Sequence, residues 1–194
     1  MATVDSSGRA TGVASGQATI FADYRGQRAT RLLKVVPDYH GGWRGDWSVA
    51  ACAEEGGWTG VCGEFPNGSL WLLILSITQN RDTVTGTTDF GDMKGPVTGT
   101  IRTTGHLVLT GTYTVAYEGI TVEVTLSEWE TTTTDNERMT GRFRVSFRAA
   151  GIQGSFRLDG DLRIVSKTSA TPLGGVPGEG ASVGDAMRWI LRRR

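Results

Sequence analysis

The sequence predicts an all-β protein: a short stretch of immunoglobulin-like strands, then an up-and-down antiparallel eight-stranded β-barrel, with a short C-terminal helix. Three observations predict it. Apolar and polar residues alternate with period two along nearly the whole chain, rich in Val, Thr and aromatics, and helical periodicity is confined to the last residues. Glycine is abundant, 28 of 194 residues, about twice its ordinary usage, with no Gly-X-Y period. The glycines recur inside the alternating runs and in phase with the apolar residues.

Residues 1–36 read as short strands joined by turns. Asp5-Ser6-Ser7-Gly8 and Tyr24-Arg25-Gly26-Gln27 carry turn chemistry. Between them Ala18, Ile20, Ala22 and Tyr24 alternate with Thr19, Phe21 and Asp23. The run from Val4 through Asp5, Gly8, Thr11-Gly12-Val13, Gly16 and Ala18-Thr19-Ile20 resembles the C-terminal half of the bacterial Ig-like group 2 family. Ala10 stands where that pattern carries a larger aliphatic residue. The resemblance implies a partial Ig-like module, and so a bacterial, extracellular or cell-surface protein. Half a sandwich lacks the second sheet that would bury its inner face. The chain is therefore expected to be a fragment lacking its signal peptide, or to begin at an internal start. Residues 37–41, opened by Pro37 and closed by glycine, read as a linker.

The second domain is expected over 42–166, with strands at 42–52, 69–79, 83–90, 95–103, 107–116, 119–130, 138–149 and 152–166. Short turns between them imply a meander. A motif of apolar residue, Gly, apolar residue or Thr, two apart, appears as Trp43-Gly45-Trp47, Val84-Gly86-Thr88 and Val97-Gly99-Ile101. It returns as Leu109-Gly111-Tyr113, Met139-Gly141-Phe143 and Ile152-Gly154-Phe156. Inward glycine lets a strand coil for closure and leaves room for a large side chain across the interior. That favours a barrel over a two-sheet sandwich. Thr-Gly within successive strands and the opening Gly42-Trp43 resemble the avidin–lipocalin (calycin) barrels. The resemblance implies an interior that either holds a small apolar ligand or is filled by the chain's own side chains. Trp43, Trp47, Tyr113 and Phe143 are the candidate interior ligand contacts.

Cys52 and Cys62 bracket a polar, Gly-rich loop, so a disulfide staple is preferred over two separate thiols and argues for an oxidising compartment. Trp58 in that loop is either an exposed recognition residue, suited to carbohydrate or protein, or a plug folded over one barrel mouth. Trp71 and Trp129 fall out of phase with their strands' apolar faces.

The chemical inventory is thin. Lys plus Arg and Asp plus Glu are each 20, so the chain is neutral overall and unlike a nucleic-acid binder. No apolar run reaches the length of a membrane span. Two histidines, His40 and His106, lie in a linker and a turn, and no metal or cofactor is implied. No catalytic residue is assigned. Asp159 and Asp161 are the best carboxylate pair for a remote hydrolase alternative, although Phe156, Leu158, Leu162 and Ile164 assign them to the solvent face. Glu123, Glu128 and Glu130 face Arg142, Arg144 and Arg148 on adjacent strands as cross-strand pairs or a recognition patch. Residues 167–194 read as a flexible linker over 168–180 and a basic tail, with Asp185 capping a short helix expected to fray. The sequence thus predicts a non-enzymatic binding or spacer module, with a carrier of a small apolar ligand as the alternative. The partner is unassigned among carbohydrate, protein and small apolar molecule.

Overall fold

The computed structural model describes residues 2–117, 119–168 and 181–193. Strands β1 (Ala2–Val4) and β2 (Ala10–Gly12) form one two-stranded sheet, and β3 (Gly16–Tyr24) and β4 (Gln27–Val35) form another. Asp5 builds the first turn by accepting from the backbone N–H of Ser7 (2.9 Å) and Arg9 (3.0 Å). The second turn places Arg25 and Gly26 at positive φ, the geometry of a tight hairpin.

Eight antiparallel strands then close a barrel: β5 (Gly41–Glu54), β6 (Leu70–Asn80), β7 (Thr83–Asp89), β8 (Lys94–Ile101), β9 (Leu107–Tyr117), β10 (Ile120–Thr134), β11 (Arg138–Ala149) and β12 (Phe156–Thr168). Sequential neighbours pair, and β12 returns to β5 from Phe156↔Glu54 to Thr168↔Gly42. The expected strands are all present. Gly154 is the exception to the glycine motif: it lies in the turn before β12 at φ +88°, its backbone packed on Glu55.

Three of the other motif glycines, Gly86, Gly99 and Gly111, explain closure. A Cβ at Gly86 would collide with the Ser76 carbonyl, at Gly99 with the Val108 carbonyl, and at Gly111 with the Pro96 carbonyl. A neighbouring strand crosses each position too closely for any side chain. Gly95 and Gly160 serve the second purpose. A Cβ at Gly95 would enter the Tyr113 ring, and one at Gly160 would lie 2.7 Å from both Phe143 and Trp47.

The structure corrects the outward phase of Trp129 and Trp71, and of the two readings of Trp58 it takes the buried one. In β10 the register shifts between Leu126 and Trp129, with Glu128 at φ +51°. The bulge reverses the phase, so Trp129 points inward and is fully buried. Trp71 needs no bulge: it shares the inward face of β6 with Leu73, Leu75 and Ile77. Trp58 is not exposed. The Cys52–Cys62 loop is hydrogen-bonded to the β11–β12 turn through Glu55 N–H to Ser155 O (2.9 Å) and Gly57 N–H to Gln153 O (2.8 Å). That seats Trp58 in the core against Phe156, ring centroids 5.0 Å apart. The disulfide itself is formed, with Cα atoms 5.6 Å apart.

One barrel mouth is closed by a residue of the expected linker and the other by the short helix of the C-terminal tail. Tyr39 is fully buried, donating its hydroxyl to Gly105 O (2.8 Å) and accepting at its backbone O from Trp43 Nε1 (2.9 Å). At the opposite mouth lies helix α1 (Val183–Arg192), which docks instead of fraying. Ser182, not Asp185, is its N-cap, accepting from Asp185 N–H (3.2 Å). Val183 and Gly184 donate to the Phe90 and Gly91 carbonyls (3.1 and 3.0 Å), and Val183, Met187, Ile190 and Leu191 are buried in the core. Most of the expected linker at 168–180 lies outside the described residues. Among the described residues no helix is long and apolar enough to cross a membrane.

Gly95→Ala is expected to destabilise the barrel by about 1–3 kcal/mol through overpacking against Tyr113. Gly63→Ala, where a Cβ meets open space, should stay within about 0.5 kcal/mol of the parent. Urea unfolding of the two variants checks this pair.

Candidate functional site

Two places in the barrel offer a site: the interior and a groove on the outer face. The interior is occupied by aromatic side chains. Trp43 and Trp47 are fully buried, Phe143 is 2% exposed and Tyr113 8%. Trp47 packs edge-on to Phe143 (5.1 Å) and Phe90 (6.2 Å), and Trp129 stacks on Phe143 (5.2 Å). Phe156 stacks on Phe147 (4.5 Å) and Phe65 (5.7 Å), and Phe65 meets Trp71 (4.8 Å). Of the four candidate ligand contacts, Trp47 and Phe143 touch. Trp43 packs instead at one mouth with Tyr39, beneath Lys167 (5.6 Å to the ring centroid). Tyr113 lies toward the other mouth and donates to Met93 O (3.0 Å). All four belong to the buried core of the barrel. They form part of one continuous core.

The groove lies where the strand irregularities stack. It holds about 570 Å³ and runs over β9 to β12 and β5, with Arg102, Glu128, Glu130, Arg142, Arg144, Asp159 and Asp161 along its walls. Gly160 and the edges of Trp129 and Phe143 line it from below, and Ala50 and Val108 border it. The walls carry three guanidinium groups and four carboxylates in alternation. Arg144 donates to Asp159 through Nε (2.7 Å) and also pairs with Glu128. Glu130 accepts from Arg102 (2.7 Å) and lies 3.1 Å from His106 Nδ1. Arg142 sits in register between Glu130 and Asp161. The expected cross-strand pairing of Glu and Arg is therefore observed, and Asp159 joins it. Its carboxylate is engaged by Arg144, on the outer face together with Asp161. Asp159 and Asp161 flank inward Gly160, so the solvent-face assignment holds.

The groove was not evident from sequence because it depends on backbone irregularities at Ala50, Glu128 and Arg163 that alternation cannot show. The one local sign was Gly141, at φ +146°, whose Cβ would collide with the Glu130 carbonyl. A smaller cleft of about 340 Å³ lies between the disulfide loop and α1, lined by Thr59, Gly60, Val61, Glu64, Trp189, Ile190 and Arg193. The Arg193 guanidinium covers the Trp189 ring at 3.4 Å from its centroid.

No known protein family, curated protein or solved structure matches the chain.

The tyrosines report how tightly the mouths are sealed. Burial pushes the Tyr39 and Tyr113 hydroxyls up from 10.0 to about 12, and raises Tyr117 as well. In the unfolded chain these groups lose their protons near 10.0. The stability from keeping them neutral is therefore complete below pH 10 and lost as pH rises to about 12. The urea midpoint should fall across that window, and Tyr39→Phe should make the fall shallower. A midpoint with the same alkaline slope in both proteins would contradict the sealing by Tyr39.

Proposed function

We propose that the chain is a non-enzymatic module of a bacterial extracellular or cell-surface protein, and that it binds a hydroxyl-rich ligand, a carbohydrate, in the outer groove of its barrel. The observation that carries this reading is the contrast between a core packed with aromatic rings and an open groove walled by seven charged side chains. Planar guanidinium and carboxylate groups in alternation present donors and acceptors side by side. That suits hydroxyl groups, which both donate and accept. A small apolar ligand finds no such complement there. The Cys52–Cys62 disulfide supports an oxidising compartment. The resemblance of residues 4–20 to the Ig-like group 2 pattern supports a bacterial surface context, where such modules act as binders or spacers. The likeness of the barrel's Thr-Gly strands to calycins bears on architecture, and its packed interior weighs against carriage of a ligand inside.

A glycan array followed by titration calorimetry tests the reading. Binding is expected to saturate at one site and to weaken at least about tenfold, or about 1.4 kcal/mol, in Arg142→Ala and in Asp161→Ala. Both variants should retain the parental melting temperature. Binding that is indifferent to both substitutions, or no binding to any glycan, overturns the assignment.

A further inference from the structure

Among the described residues the N-terminal sheets are two-stranded. Among the described residues β3 pairs with β4 and with no other strand. A lone two-stranded ribbon is marginally stable in water. This one keeps Phe21 56%, Leu32 60% and Tyr24 70% exposed. The register sets Phe21 opposite Thr30 and Thr19 opposite Leu32, so these four share one face.

The two edges of the ribbon differ in kind. Strand β4 carries Arg28, Arg31 and Lys34, and Lys34 reaches across to Asp82 of the barrel (2.6 Å). Charged side chains of this sort, above all lysine, protect an edge from pairing with another chain. Strand β3 has no lysine or arginine of its own, and the Arg28 guanidinium of β4 lies 5.1 Å from the centroid of its Phe21 ring. Its nine residues, Gly16-Gln17-Ala18-Thr19-Ile20-Phe21-Ala22-Asp23-Tyr24, contain no proline, no lysine and no bulge. Its single charge, Asp23, is paired with Arg28 (2.8 Å). High β-propensity with little net charge and no proline is the composition that pairs edge to edge.

We infer that the free edge of β3 pairs with the same edge of a second copy of this chain. A strand that meets its own copy across a two-fold axis runs antiparallel to it, and the contact is self-complementary. The product is a continuous four-stranded sheet that gathers Phe21 and Leu32 of both copies on one face. The cationic β4 strands become its outer edges. Growth stops there, so the assembly is a closed dimer and not a fibre.

Sedimentation velocity of the full chain over a concentration series tests the inference. A reversible monomer–dimer equilibrium is expected. Thr19→Lys with Phe21→Lys places cations on two exposed positions of β3 and should leave only monomer, with the melting of the barrel unchanged. Amide exchange gives a second readout that needs no variant: residues 17–24 should exchange more slowly at high than at low protein concentration. A parent chain that stays monomeric with concentration-independent exchange overturns the inference and leaves the edge to a different polypeptide. A dimer that persists in the double variant overturns it by placing the contact elsewhere, as does an open-ended polymer.

Discussion

A closed eight-stranded barrel places two demands on the same inward positions. The strands must coil tightly enough to join the last to the first, and the enclosed volume must be filled. Large side chains fill volume but obstruct coiling, and glycines permit coiling but leave gaps. Here the two residue types are interleaved. Gly86, Gly99 and Gly111 sit where a neighbouring carbonyl passes too close for a Cβ, and Gly95 and Gly160 sit under the rings of Tyr113, Phe143 and Trp47. At Gly95 and Gly160 the space left by the missing side chain is taken by an aromatic ring from elsewhere in the barrel. Closure and the continuous aromatic core rest on that division between small and large residues.

Much of this was legible because it follows from alternation. Strands β5 to β12 lie close to where period-two patterning and turn residues put them, and glycines such as Gly86 and Gly111 are inward as their phase required. The failures share a cause, namely contacts between segments distant in sequence. Trp129 was assigned outward because the bulge at Glu128 reverses the phase of β10 without any sequence marker. For Trp58 alternation left an exposed and an inward reading open, and the turn between β11 and β12, a hundred residues away, holds its loop in the inward one. Tyr39 lies in a stretch with the composition of a linker, yet its hydroxyl reaches Gly105 O and its ring packs on Trp43. Helix α1 is too short to persist alone, and it is held because Val183 and Gly184 find carbonyl partners in the turn after β7.

The same logic assigns roles to the surface. With aromatic side chains filling the interior, the recognition proposed for this chain is placed on the outside of the barrel, where the groove lies along strands with register shifts. The charged residues there were legible as cross-strand pairs, but their convergence on one concavity was not. The N-terminal ribbons are the opposite case. They have regular alternation and sound turns, as their sequence required, but among the described residues no partner sheet covers Phe21 and Leu32.

The central claim is that the barrel core is filled by the protein's own aromatic side chains. Titration with a naturally fluorescent polyene fatty acid, read by quenching of tryptophan emission, tests it most directly. The account predicts blue-shifted emission from the buried tryptophans and no saturable quenching. Stoichiometric, saturable quenching that is lost when Trp47 is replaced by Phe would contradict it.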